Sequence, residues 1–399
     1  MSVGAILKKN IYAHDVLSKA KNLKQNKMFQ TIADEVLPID PIEDFEDFSA
    51  CISFMKKKYQ SWPSPYSVGM ESTFYGHLKS LVEYAGLKYE DAYRLLLPNV
   101  EHGIAWLQRV PANLQQPFAH SFVSQGAYRK ALINSEKPWM PNYVIGPYIH
   151  YAKQLYGDSR RSEIKKKLGR TILVFPAHSY EGSSVSYGRR GFVKDILSRY
   201  SDEYDSVMIS AYWHDADDEV YSLFRKEGAI VVSAGLRNDP LFISRLKTII
   251  SLSDAVAGNA IGTNIGYCMY LEKPFSMIGA MDTEIKDYGN SYGSLEEANL
   301  LGMTQCISRA FDIHGCQEMQ DRFYREYWGG PSALKSPNEI RCILGISRDI
   351  LRESHGCASK FTTVVQDVYS QALRGTSAED ALRAKLLTDA LGFGDMKNA

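Results

Sequence analysis

Between residues 171 and 279 the chain alternates four times between a short apolar run and a segment of helical period. Thr171 to Pro176 reads as a buried strand, and a helix follows from about Arg190 to Tyr200. Ser206 to Ala211 with Asp218 to Glu227 repeats the pair, as does Ala229 to Ser233 with Leu241 to Leu252. Ala255 to Ala257 and a helix ending near Leu271 complete the series, and Phe275 to Ile278 adds a strand. This alternation is the pattern of a doubly wound parallel sheet with helices on both faces. Such sheets bind ligands at the carboxyl ends of their strands. Polar residues collect at those ends: His178 to Ser184, Trp213 to Asp218, Ala234 to Asp239 and Gly258 to Asn264.

The last of these turns is the richest. Gly258 and Gly262 let the backbone turn tightly, and Thr263 or Asn264 is placed to cap the helix that follows. Lys273 and Pro274 stop that helix. Its start carries free N–H groups and suits a phosphate or carboxylate. The alternative is an ordinary helix–strand unit.

The rest of the chain sets the domain plan. Residues 1–65 read as a helical extension punctuated by prolines, 66–155 as a mixed region with short strands at Ala119 to Val123 and Tyr143 to Ile145, and 156–330 as the doubly wound domain. Helices are expected at Tyr75 to Tyr84, Tyr89 to Leu95 and Ala127 to Ile133, and through 331–399. Ser336-Pro337-Asn338-Glu339 has the form of a capping box. The polar stretch 157–170 reads as a solvated linker helix. Its alternative is peripheral contact with an anionic membrane through Arg160, Arg161, Lys165, Lys166 and Lys167.

Composition excludes some classes. With 46 Lys+Arg against 46 Asp+Glu the formal charge is zero, so no global field draws nucleic acid. No apolar run is long enough for a transmembrane helix, and the first ten residues lack the apolar core of a signal peptide. Six scattered cysteines without a C-x-x-C fit a reducing cytoplasm better than disulfides or zinc.

The phrase Ile261-Gly262-Thr263-Asn264-Ile265-Gly266-Tyr267, with Tyr270-Leu271-Glu272-Lys273-Pro274 after it, is similar to segments in bacterial enzymes of capsule and O-antigen synthesis. The series 171–279 resembles the nucleotide-binding half of a GT-B glycosyltransferase. The resemblance implies an α/β fold of two Rossmann-like domains with a cleft between them, plus helical N-terminal and C-terminal segments. It implies a nucleotide-sugar donor on the later domain and a glycan or lipid-linked acceptor on the earlier one. By position, Gly262, Thr263 and Asn264 would meet the donor phosphates. His178, Ser179, Glu181, Gly182, Ser183 and Ser184 would line the same pocket. A solvent-facing loop is the plain alternative for His178.

An inverting transfer needs a base for the acceptor hydroxyl. Glu101 and His102, after the apolar run Leu95 to Leu97, are the candidates, with a hydrogen-bonded loop pair as the alternative. Asp215-Ala216-Asp217-Asp218 has a D-x-D spacing but directly precedes a helix, where acids are favoured by the dipole, so helix capping is expected and no metal. Arg237 and Asp239 are further candidates to touch base, ribose or sugar. No cofactor is expected, and a UDP-linked or CMP-linked donor stays open. A nucleotide-sugar epimerase of the same fold and a non-catalytic sugar- or nucleotide-binding partner are the competing functions.

Overall fold

The computed structural model describes residues 9–43, 48–62, 70–89, 98–104, 106, 118–180, 182–287, 294–312 and 315–393. The chain divides into two compact units, each assembled from separated segments. The first gathers Met1–Thr31, Pro63–Tyr151 and Arg325–Ala399, and the second gathers Ile32–Trp62 and Ala152–Tyr324. Residues 331–399, expected as separate helices, thus belong to the first unit. Residues 32–62, expected within an N-terminal extension, belong to the second.

The first unit holds a parallel sheet of β1 (Asn99–Val100), β2 (Phe122–Ser124) and β3 (Asn142–Val144), in that order. All three strands are short, and β1 and β2 are wholly buried. Phe122, Ala119, Ile133 and Met140 pack together as a core beneath the helix Ala127–Glu136. Helices Pro337–Glu353, Phe361–Arg374 and Ala378–Leu391 form in the stretch expected to be helical. Their periodic apolar positions, such as Ile340, Ile343, Leu344 and Ile350, are the buried ones. The capping box at Ser336 and Glu339 is present, and a second one joins Ser377 and Asp380. The helix expected at Tyr89 to Leu95 and the apolar run Leu95 to Leu97 lie, except for Tyr89, outside the described residues.

The second unit is built on five parallel strands. They are β4 (Thr171–Phe175), β6 (Ser206–Tyr212), β7 (Ile230–Gly235), β8 (Ala255–Gly258) and β9 (Phe275–Met277), with the short β5 (Ser183–Ser186) between β4 and β6 in the chain but outside this sheet. Their order is β7-β6-β4-β8-β9, with β4 paired on one side to β6 and on the other to β8. Apolar runs such as Ile172, Leu173 and Val174 are buried because helices cover both faces of a parallel sheet. The intervening helices are Arg189–Tyr200, Glu219–Lys226, Phe242–Leu252 and Asn264–Tyr270. β5 was not expected. It pairs antiparallel with β10 (Glu284–Asp287), setting Lys286 opposite Ser184.

Segment 32–62 closes the β7 edge of this sheet. Ser233 N donates to the Pro41 carbonyl at 3.3 Å, which occupies backbone that an edge strand otherwise leaves open. Arg245, 2% exposed, holds the segment from the helix side. Its Nη2 donates to Val36 O at 2.7 Å and its Nε to Ile39 O at 3.3 Å, while Asp239 neutralises it. Asp239 is fully buried in that ion pair, so it does not face a ligand as the sequence suggested.

The basic helix Asp158–Leu168 is likewise tied down. Arg160 meets Asp40 and Glu43 at 2.8 Å, Arg161 meets Asp158, Lys165 meets Asp254, and Lys167 lies 3.7 Å from Glu163. Four of the five cations considered for a membrane surface therefore face carboxylates. No helix among the described residues is long and apolar enough to cross a membrane.

Removing one partner of a buried ion pair strands the other charge. Asp239→Ala should lower unfolding stability by about 3–5 kcal/mol in denaturant titrations. A loss below about 1 kcal/mol would mean that Arg245 keeps its place without the carboxylate.

Candidate functional site

The strand order of the second unit reverses between β4 and β8. At such a switch point the loops leaving two adjacent strands run apart, which opens a crevice at their carboxyl ends. The sequence candidates fall on its two sides: His178 to Ser184 after β4, and Gly262, Thr263 and Asn264 after β8. Phe175 pairs with Gly258 at the rim. A Cβ at Gly258 would stand 3.1 Å from Phe175 O and 3.2 Å from the Phe275 ring, so the close approach of these strands favours glycine.

Asn259, fully buried, spans the two loops. Its Oδ1 accepts from Ala177 N at 2.6 Å and its Nδ2 donates to Thr283 Oγ1 at 3.1 Å. In the sequence Asn259 is one of several polar residues of the Gly258 to Asn264 turn. Its polarity at a buried position beside a strand end is the signal that was available.

The loop after β4 is held by its own bonds. Asp215 Oδ1 and Oδ2 accept from Ser179 Oγ at 2.8 Å, and Oδ2 also accepts from Ser179 N. His214 Nδ1 lies 3.0 Å from Asp215 Oδ1. Burial alone would raise the Asp215 carboxyl, but the bonds from His214 and Ser179 outweigh it and hold the group below the ordinary carboxylate range. Tyr180 N bonds Ser183 Oγ at 2.7 Å, and Ser183 N bonds Tyr180 O at 2.8 Å. The N–H groups of Ala177, Ser179, Tyr180 and Ser183 are thus all engaged within the protein. Of the residues expected to line the pocket, Ser179 and Ser183 therefore have no backbone N–H left for an anion. Ser183 and Ser184 belong to β5, Gly182 supplies a left-handed turn at φ 85°, and Glu181 lies outside the described residues.

On the far side Thr263 occupies the N-cap position in helical conformation and makes no side-chain capping bond. The helix is a short one, Asn264–Tyr270, and it ends where the sequence suggested. Gly262, Thr263 and Asn264 are all half-buried.

The end of β6 adds Tyr212, which the sequence did not mark, to the Trp213 to Asp218 stretch that it did. The β6–β7 register shifts between Ser210 and Tyr212, an irregularity of the kind that re-aims side chains near functional sites. Beyond it the Tyr212 ring lies 4.2 Å from the His178 ring, centroid to centroid, at 34°. Trp213 packs under Phe54 and Trp62 of the 32–62 segment. Of the D-x-D acids, only Asp218 caps the helix, accepting from Val220 N at 2.9 Å. Asp218 also binds Arg189 through two nitrogens, at 2.9 and 2.7 Å. Asp217 bonds Lys56 Nζ at 2.8 Å, and Asp215 serves Ser179 and His214. The helix-capping expectation therefore holds for one acid of three, and the other two have donors of their own.

In the first unit Glu101 and His102 part company. Glu101, 4% exposed, meets the fully buried Arg129 at 2.7 Å. Burial pushes its carboxyl up to about 7, and the Arg129 guanidinium offsets only part of that rise. Its carboxylate is enclosed at the carboxyl end of β1, whereas His102 is exposed, with its ring against Phe74. A cavity of about 120 Å³ lies along β3, lined by residues including Lys130, Asn142, Lys335 and Asp389. No sequence candidate lines it.

No known family model matches the chain, and no characterised protein matches it in sequence. Two complexes are among the solved structures that share a distant likeness. One is UGT71G1 of Medicago truncatula complexed with UDP-glucose, at 9% identity and a TM-score of 0.27. It covers 64% of this chain, and this chain spans only 55% of it. The other is TcCGT1 in complex with UDP, at 10% identity and a TM-score of 0.31, covering 91% of this chain and 84% of its own. At these scores the fold assignment rests on the sheet order, and neither likeness adds weight to it.

Glu101→Gln would leave Arg129 buried opposite a neutral group and should cost about 3–5 kcal/mol of unfolding stability. His102→Ala, at an exposed position, should stay within about 0.5 kcal/mol of the parent. Chemical denaturation of both variants checks the contrast.

Proposed function

We propose that the chain is a glycosyltransferase of GT-B type that takes a sugar from a nucleotide-sugar donor. The observation that supports this best is the reversal of strand order between β4 and β8. The loop after β4 carries His178, Ser179 and Gly182, and the loop after β8 carries Gly262, Thr263 and Asn264. Open α/β sheets hold nucleotides at this place. The phrase around Ile261 to Tyr267, similar to segments of capsule and O-antigen enzymes, extends the proposal to a glycan or lipid-linked acceptor in surface polysaccharide synthesis.

The transfer is proposed to need no metal. Lys56 and Arg189 already neutralise Asp217 and Asp218, and Ser179 and His214 occupy Asp215. The base for the acceptor hydroxyl is proposed to be His102 rather than Glu101. A general base must come within hydrogen-bond reach of its proton, and of the two only His102 is exposed.

A thermal-shift screen with UDP, GDP, CMP, TDP and their sugars tests the reading. At about 100 times its dissociation constant the correct ligand adds roughly 2.7 kcal/mol of stability. Asn264→Asp places a negative charge beside the phosphates and should weaken that ligand about tenfold or more, on the scale of 1–4 kcal/mol for like charges a few ångströms apart. EDTA should leave its affinity unchanged. No shift with any of the nucleotides would sink the proposal.

A further inference from the structure

His178 stands at the carboxyl end of β4 with its ring orientation set from two sides. Its Nδ1 lies 2.9 Å from the Ser179 carbonyl oxygen, and its face lies against Tyr212. A carbonyl oxygen only accepts, so Nδ1 must carry the hydrogen. In the neutral imidazole the other nitrogen, Nε2, then bears a lone pair. Among the described residues nothing donates to it, and the residue is only half-buried. The structure thus presents an oriented acceptor at the switch point, on the loop whose neighbouring N–H groups are already spent.

We infer that His178 reads a hydroxyl of the bound ligand: its Nε2 accepts a hydrogen bond from a ligand O–H and does not contact phosphate. The inference rests on the nucleotide-sugar reading of the same crevice and gives that ligand an orientation. A phosphate oxygen is itself an acceptor, and two acceptors repel. The ring would suit phosphate only as an imidazolium. Burial disfavours that form and, helped by His214, outweighs the Ser179 carbonyl and the Asp215 carboxylate, so the pKa of His178 falls below its ordinary value. The group therefore stays neutral near pH 7. The phosphates are left to the β8 side, and the sugar or the ribose lies toward β4.

Two measurements decide it. Long-range proton–nitrogen NMR of the histidine-labelled full chain at pH 7, assigned by the signal lost in His178→Gln, should show Nδ1 protonated and Nε2 bare. The opposite tautomer, or an imidazolium, overturns the inference whatever the ligand proves to be. The second is the affinity for UDP-glucose, whose phosphates do not titrate near neutrality, followed from pH 8 to pH 5. Protonating Nε2 removes the acceptor, so affinity should hold near neutrality and fall at the acid end. A rise on acidification is the signature of a phosphate contact and overturns the inference. His178→Phe, which keeps a ring beside Tyr212 and has no acceptor, should bind roughly tenfold more weakly at pH 8 and lose the acid dependence. An effect of the substitution on UDP-glucose alone assigns the hydroxyl to the sugar, and an equal effect on UDP assigns it to the ribose. Failure to bind either, or any other nucleotide, with the NMR result intact, defeats the proposed function and leaves the oriented acceptor in place.

Discussion

The pairing of β4 with both β6 and β8 is the constraint on which the second unit depends. A central parallel strand must be apolar on both faces, and Ile172, Leu173 and Val174 meet that demand. With β4 in the middle, the next strands in sequence spread to one side and the later ones to the other. The chain then leaves β4 and β8 in different directions, and the crevice follows from topology before any side chain is placed.

Side chains then fix the loops around that crevice. Asn259 ties the β8 turn to Ala177, and Asp215 ties the β6 loop to Ser179. Each bond satisfies a buried or half-buried backbone group that would otherwise be left without a partner. The same bonds use up N–H groups that an anion would need. On the β4 side the His178 nitrogen is an oriented acceptor among the described residues, and it gives that side a chemistry of its own.

The segment 32–62 has a comparable role at a distance. Arg245 and Asp239 fasten it to the helix Phe242–Leu252, and Phe54 and Trp62 reach Trp213 beneath the β6 loop. This stretch therefore supports the loop that presents Asp215 and His214.

The sequence by itself determined the alternation of strands and helices through 171–279 and the helices of 331–391, because period and caps are local properties. It also located the polar strand ends. Only the tertiary structure decided what those polar residues do. Partners such as Lys56 for Asp217, Asn259 for Ala177 and Ser179 for Asp215 lie 161, 82 and 36 positions apart. Glu101 and Asp239 looked like site residues from their neighbours in the chain. Folding enclosed each beside an arginine, Arg129 and Arg245, because a buried carboxylate needs a countercharge. Which of the strand-end groups remained open to a ligand was set by these long-range pairings, and no local pattern encodes them.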